Sequence, residues 1–112
     1  MSAEITAITM PKWGLTMTEG KVIGWLKQQG QGFAEGAELL EIETSKITNA
    51  LESTIAGTIR RRIADEGVAL PVGALLAIVA EKSVDDAAID AFIAKFNEEF
   101  AAAVREVHAY ER

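Results

Sequence analysis

Lys46 sits in the run Glu41-Ile42-Glu43-Thr44-Ser45-Lys46-Ile47, and its neighbours set the chemistry that its amine could do. An ε-amine becomes a nucleophile or a Schiff-base former when burial or a nearby cation lowers its pKa. Glu41, Glu43 and Glu52 act the other way, because nearby carboxylates favour the protonated ammonium. The run also lacks a general acid and base pair, so Lys46 does not read as a catalyst. A lysine displayed but not activated is a handle that an external enzyme could modify. On number alone, one of six lysines is more often a solvated surface group. Position in the fold decides between these readings.

That position is the seam of an internal repeat. Gly20, Gly30 and Gly36 are matched by Gly57, Gly67 and Gly73, each pair 37 residues apart. Apolar residues keep the same offset: Val22 with Ile59, Leu26 with Ile63, Phe33 with Leu70, Leu39 with Leu76 and Ile42 with Val79. Two copies make a folded-over duplication and not a solenoid. A small domain with two related halves has approximate two-fold symmetry, and the link between the halves, which holds Lys46, becomes a hairpin at one end.

The elements follow from pattern. Ile5 to Thr9, Lys21 to Leu26, Glu38 to Glu43, Ile47 to Leu51, Gly57 to Ile63 and Ala74 to Val79 read as short strands between glycine turns. In Glu38–Glu43 the end alternates cleanly, with Leu40 and Ile42 on one side and Glu41 and Glu43 on the other. Gly24 inside the second strand marks a bulge or a close backbone approach. Pro71-Val72-Gly73 and its counterpart Ala34-Glu35-Gly36 are turns, with glycine where positive φ is needed. The fold class is all-β, a sandwich or flattened barrel. From residue 83 the pattern changes. Ser83-Val84-Asp85-Asp86 resembles an N-cap with an acidic residue three positions on. Ile89, Phe92, Ile93, Phe96, Phe100, Val104 and Val107 then recur at helical spacing, predicting a helix from about residue 85 to about residue 107. Two readings of its apolar stripe stay open: packing on the β domain or on another copy, or docking against a further domain.

Composition narrows the function classes. The 112 residues suit one small domain with an appendage, and the net charge of −6 argues against a nucleic-acid partner. Arg60-Arg61-Arg62, the one basic cluster, reads as a solvated strand face without aromatic stacking partners. The absence of cysteine excludes a disulfide scaffold or a thiolate metal site, and fits a cytoplasmic location. The acidic N-terminus lacks a signal-peptide layout, and no apolar run is long enough to span a membrane. His108 is the sole histidine, which leaves no multi-histidine metal site.

With these residues in view, the chain resembles the lipoyl domain of the biotinyl/lipoyl carrier family over roughly residues 4–81. The resemblance rests on Met10-Pro11, Thr18-Glu19-Gly20, Glu35-Gly36, Leu40-Glu41-Ile42-Glu43-Thr44 leading into Lys46, and Gly57 eleven residues beyond that lysine. It implies two four-stranded antiparallel sheets with quasi-two-fold symmetry and lipoic acid in amide linkage on Lys46 at a hairpin tip. Biotin carriers of the family usually flank the lysine with methionines. Here the flanks are Ser45 and Ile47, which favours lipoate. Ser45 stands where most lipoyl domains have aspartate, and Ser53-Thr54-Ile55-Ala56 replaces the commoner Ala-Pro before the family glycine. Met10–Gly20, Leu70–Ala77 and the tail around Ala88–Asp90 and Phe96–Phe100 are similar to acyltransferase (E2) subunits of acetoin dehydrogenase systems.

That resemblance divides the chain into a lipoyl domain, 1–81, and a helical tail or linker, 82–112, toward a domain not contained in these residues. It implies an acyl carrier with no catalytic site of its own. Its expected partners are a lipoate ligase or lipoyl transferase, a thiamine-dependent E1, an E2 acyltransferase domain serving coenzyme A, and the flavin-dependent dihydrolipoamide dehydrogenase (E3). Recognition would fall to Glu41, Glu43, Thr44, Ser45 and Ile47 around the lysine and to the Trp13–Glu19 loop. Core packing is the competing reading for Trp13 and Trp25. The alternatives are a biotin carrier and an unmodified module that only assembles subunits.

Overall fold

A repeat of 37 residues predicts two strand sets related by symmetry, and the computed structural model, which describes residues 4–45 and 47–110, has that arrangement. Eight strands precede one helix: β1 (Ile5–Thr9), β2 (Glu19–Trp25), β3 (Gly32–Phe33), β4 (Glu38–Glu43), β5 (Thr48–Glu52), β6 (Gly57–Arg62), β7 (Ala69–Pro71), β8 (Leu75–Ala80) and α1 (Asp86–Tyr110). The strands form two antiparallel sheets in the orders β1-β8-β6-β3 and β5-β4-β2-β7. These orders correspond strand for strand, with β6 in the place of β2, β8 of β4 and β3 of β7. The irregularities repeat too. Pairing slips between Val22 and Gly24 in β2 and between Ile59 and Arg61 in β6, so the bulge expected at Gly24 is present twice. Gly30 N–H donates to the Ile59 carbonyl and Gly67 N–H to the Val22 carbonyl, both at 2.6 Å. Of the two expected shapes the molecule is the sandwich: among the described residues no strand belongs to both sheets.

Two glycines show why the duplication keeps them. A Cβ on Gly20 would meet Ile42 Cγ2 and Met10 Sδ at 2.8 Å, and one on Gly57 would run into Val79 Cγ1. Ile42 and Val79 are themselves a repeat pair, so one packing contact is built twice. The turn glycines meet expectation, Gly36 at φ +89° and Gly73 at φ +90°, where a Cβ would be strained.

The inner core is drawn from both sheets, with Val22, Leu39, Leu40 and Ile42 facing Ile59, Leu76 and Val79. In β4 the expected alternation holds, with Leu40 and Ile42 buried and Glu41 and Glu43 exposed. In β8 every residue is buried, because α1 covers its outer side. Leu75, Ile78, Ala80, Val84 and Ile89 make a second core there, with Phe92, Ile93 and Phe96 packed against it. Of the two readings of the stripe, docking on the β domain accounts for Ile89 to Phe96. The helix starts beside Glu81, just after β8, and its Phe100 reaches Gly73, just before β8, so α1 runs antiparallel to that strand.

The helix N-terminus differs from expectation. Asp85, not Ser83, is the cap residue whose carbonyl accepts the first helical bond, from Ile89 N–H at 3.1 Å, while Glu81–Val84 forms a turn. The basic cluster also differs from a solvated face. Arg60 reaches the Glu81 carbonyl at 2.6 Å and Asp86 at 2.9 Å, and Arg61 reaches Asp86 at 3.3 Å and Asp90 at 3.2 Å. Arg62 lies over the Trp25 ring, 5.7 Å from its centre. The Arg60 and Arg61 pairs fasten the first turn of α1 to β6.

Hydrogen bonds from Arg61 and Arg60 hold the Asp86 carboxyl below its ordinary pKa of 3.8. A carboxyl depressed on folding stabilises the folded state above the unfolded pKa, and the contribution is lost as pH falls through the lower folded value. Asp86→Asn should therefore lose less stability than the wild type on acidification from about pH 6 to about pH 3. An equal loss of unfolding free energy between the two pH values in Asp86→Asn and the wild type, read from denaturant midpoints, would show that the pair is not linked to folding.

Candidate functional site

The β4–β5 register pairs Glu43 with Thr48, so residues 44–47 form the hairpin loop between the two halves. Thr44 clasps it. Its N–H donates to the Ile47 carbonyl at 2.7 Å, and its Oγ1 accepts the Ile47 N–H at 3.2 Å and lies 3.3 Å from the Ile47 carbonyl. Threonine suits this place because a short hydroxyl reaches local backbone groups. Lys46, the expected attachment residue, lies outside the described residues. Its described neighbours place the tip: Ser45 is exposed and Ile47 is 48% exposed.

The tip does not stand alone. A nine-residue connection, 10–18, joins β1 to β2, whereas the symmetry-related link from β5 to β6 has only four residues, 53–56. The short link is held by Ser53, whose hydroxyl donates to the Ile55 carbonyl at 2.6 Å and accepts the Ile55 N–H at 3.2 Å. Ser53 thus closes the turn itself. The longer loop folds toward the hairpin, with Trp13 N–H on Met17 Sδ at 3.2 Å and Met17 N–H on the Gly14 carbonyl at 3.2 Å. Loop and hairpin together line an open cavity of about 590 Å³.

Of the residues expected to act in recognition, Trp13, Glu19, Glu43, Thr44, Ser45 and Ile47 all line this cavity. Glu41 does not line it; it stands farther along the exposed face of β4. Trp13 also packs against the inner core, as its competing reading expects, while one side of it lines the cavity. Trp25 belongs to neither hairpin nor cavity. Its indole N–H donates to the Ala64 carbonyl at 2.9 Å and its backbone N–H to Glu66 at 3.0 Å, a structural role as expected. Sequence reasoning missed Lys21 and Ala69 on the cavity wall. Lys21 is cross-strand from both Glu43 and Ala69. The readable signal was the surplus length of the 10–18 segment over its repeat partner.

The Biotin_lipoyl family model, described as biotin-requiring enzyme, matches residues 6–79. The chain belongs to the biotin/lipoyl family. Among biotin/lipoyl relatives, the dihydrolipoyllysine-residue acetyltransferase component of the acetoin cleaving system of Pseudomonas putida is 47% identical over 100 residues, covering 89% of this chain and 27% of that protein. The protein of the same description from Cupriavidus necator is 47% identical over 96 residues, covering 86% of this chain and 26% of its own length. The chain spans about a quarter of the length of these curated relatives. The solution structure of the lipoyl domain of the 2-oxoglutarate dehydrogenase complex from Azotobacter vinelandii matches with a TM-score of 0.56 at 23% identity, covering 70% of this chain and 98% of that domain. That is a likeness of fold. The biotin/lipoyl match ends at Val79, before α1. The Pseudomonas alignment is too long to fit within the sandwich and must include part of the helix.

Proposed function

We propose that this chain is a lipoyl carrier of an acetoin or 2-oxo-acid dehydrogenase complex, with Lys46 as the attachment residue. The observation that carries the reading is the Thr44–Ile47 clasp, which closes the hairpin joining the two halves of the fold and leaves Ser45 and Ile47 exposed on either side of the lysine position. The identity to dihydrolipoyllysine-residue acetyltransferase components supports lipoate over biotin.

The residues present fit such a group. A short, backbone-bonded loop with exposed flanks presents an amine to a modifying enzyme without burying the product, and the neighbouring cavity leaves room beside the tip. Lipoic acid in amide linkage supplies a dithiolane that takes up an acyl group together with two electrons, the acyl group going on to coenzyme A and the electrons to a flavin dehydrogenase. The protein's share is presentation. The sandwich holds the hairpin rigid, Thr44 fixes its tip, and tethering raises the concentration of the arm at each partner's active site. The cavity wall, with Trp13, Glu19, Lys21 and Glu43, offers a partner an apolar floor and charges of both signs. In this reading the partners are a lipoate ligase or lipoyl transferase, a thiamine-dependent E1, an E2 acyltransferase domain and dihydrolipoamide dehydrogenase, in the cytoplasm.

Coexpression with a lipoate ligase, followed by digestion and mass mapping, tests the reading. One lipoyl mass on the peptide containing Lys46 is expected. A chain that stays unmodified beside a competent ligase, or that is labelled by streptavidin instead, overturns it. Ser45 adds a finer prediction. The clasp uses Thr44 and Ile47, so Ser45→Asp should leave the fold intact and lipoylate at least as fast as the wild type. A clearly slower initial rate would show that serine is read by the modifying enzyme and is not a neutral replacement.

A further inference from the structure

We propose that α1 is a brace for the recognition loop and that Phe100 is its positioning residue, acting through the Pro71–Ala74 turn. The proposal rests on the lipoyl-carrier reading for its functional consequence, but its structural content stands on separate observations.

The turn between β7 and β8 holds both ends of the 10–18 loop. At the start, Met10 N–H donates to the Ala74 carbonyl at 2.8 Å and Gly73 N–H to the Met10 carbonyl at 2.9 Å. At the far end, Val72 N–H donates to the Thr18 carbonyl at 3.0 Å, and Pro71 pairs with Glu19. Between these anchors the loop carries Trp13 and Met17 into the cavity wall, with Leu15 95% exposed beyond them. The position of the wall therefore depends on one short turn.

That turn is covered by the helix. A Cβ built on Gly73 would lie 3.3 Å from Phe100 Cε1, so the ring packs directly over the glycine. Phe100 is in turn stacked on Phe96, with centroids 6.4 Å apart and planes 15° apart, and Phe96 packs against the second core. A continuous set of contacts thus runs from the β8 face through two rings to the turn and the loop.

The duplication supplies an internal control. The related turn at Gly36 makes the equivalent bonds, Ser53 N–H to the Ala37 carbonyl and Gly36 N–H to the Ser53 carbonyl, both at 2.8 Å. No atom lies within 4 Å of a Cβ built on Gly36. It carries the four-residue link, which Ser53 closes by itself. The helix therefore covers the copy of the turn that bears the long loop and leaves the other open. A loop of nine residues with few internal bonds needs outside support to hold one shape, because each unfixed residue keeps conformational entropy that ordering must remove.

Hydrogen exchange on the unlipoylated chain tests the brace without any partner. In Phe100→Ala, the amides of Met10, Trp13, Met17, Val72 and Gly73 should exchange roughly three- to ten-fold faster, the size expected for losing one aromatic contact, while Gly36 and Ser53 stay unchanged. Phe100→Leu, which keeps apolar bulk over Gly73, should restore most of the protection. No change at these amides, or an equal change at both turns, overturns the brace. Lipoylated chains then test the consequence with a thiamine-dependent acyl donor enzyme. Phe100→Ala should raise KM for the carrier by a similar factor with kcat held, and Phe100→Leu should recover it. An unchanged KM overturns the role in recognition. A wild-type chain that accepts no lipoyl group sinks the carrier reading, while the exchange result still decides the brace.

Discussion

Lys46→Arg is expected to give a folded protein that takes up no lipoyl group and carries no acyl group. Arginine keeps the positive charge and much of the length of lysine, so the hairpin environment beside Glu43 is nearly preserved. It cannot form the amide, because a guanidinium stays protonated at any working pH and offers no free amine. The bonds between Thr44 and Ile47 are made by the Thr44 hydroxyl and by backbone groups of the two residues, which the substitution leaves in place. A surface substitution of this kind changes stability by no more than about 0.5 kcal/mol. The expected readouts are complete loss of the lipoyl mass and of acetyl transfer, with an unchanged denaturation midpoint. Residual modification mapped to Lys12, Lys21 or another lysine would move the attachment site and overturn the assignment. A large drop in stability would instead give Lys46 a structural role that its neighbours do not suggest.

Ile89→Ala should be the most damaging single change in the helix, at about 2–5 kcal/mol. Ile89 is fully buried, packed with Leu75, Ile78, Ala80 and Val84 between α1 and the outer side of β8. Truncation to alanine leaves a cavity beneath the first turns of the helix, where the Asp86 and Asp90 pairs with Arg60 and Arg61 are too exposed to make up the loss. Denaturant unfolding followed by circular dichroism measures the cost, and a matched Val104→Ala, at a position 37% exposed, should change it by no more than about 0.5 kcal/mol. Similar values for the two variants would mean that the helix is not docked on the sheet in solution. Such a result would also remove the support on which the Phe100 brace depends.

Much of the fold was legible because it is written twice. Glycines fixed at one offset mark turns and close packings that no other residue tolerates, and the alternation in Glu38–Glu43 assigns a wet face and a dry one. β3 and β7 escaped, because two- and three-residue strands are too short to show a period of two. The uniform apolar run of β8 located a buried strand but not what buries its second side. The site was legible at the hairpin and at Trp13 and Glu19, through family resemblance and chain position. Lys21 and Ala69 were not, since each reaches the cavity by cross-strand pairing with residues far away in sequence.

The sequence by itself determined the duplication, the family, the lysine at the seam and a helix with one apolar stripe, because each depends on residue types at short or repeated spacings. The tertiary structure alone decided where that stripe docks, that Arg60 and Arg61 fasten the helix to β6, and that the Pro71–Ala74 turn joins the helix to the loop beside the hairpin. Those facts depend on which surfaces meet when the sheets pack. Packing is settled by shape and burial over the whole molecule, which no local pattern of residues encodes.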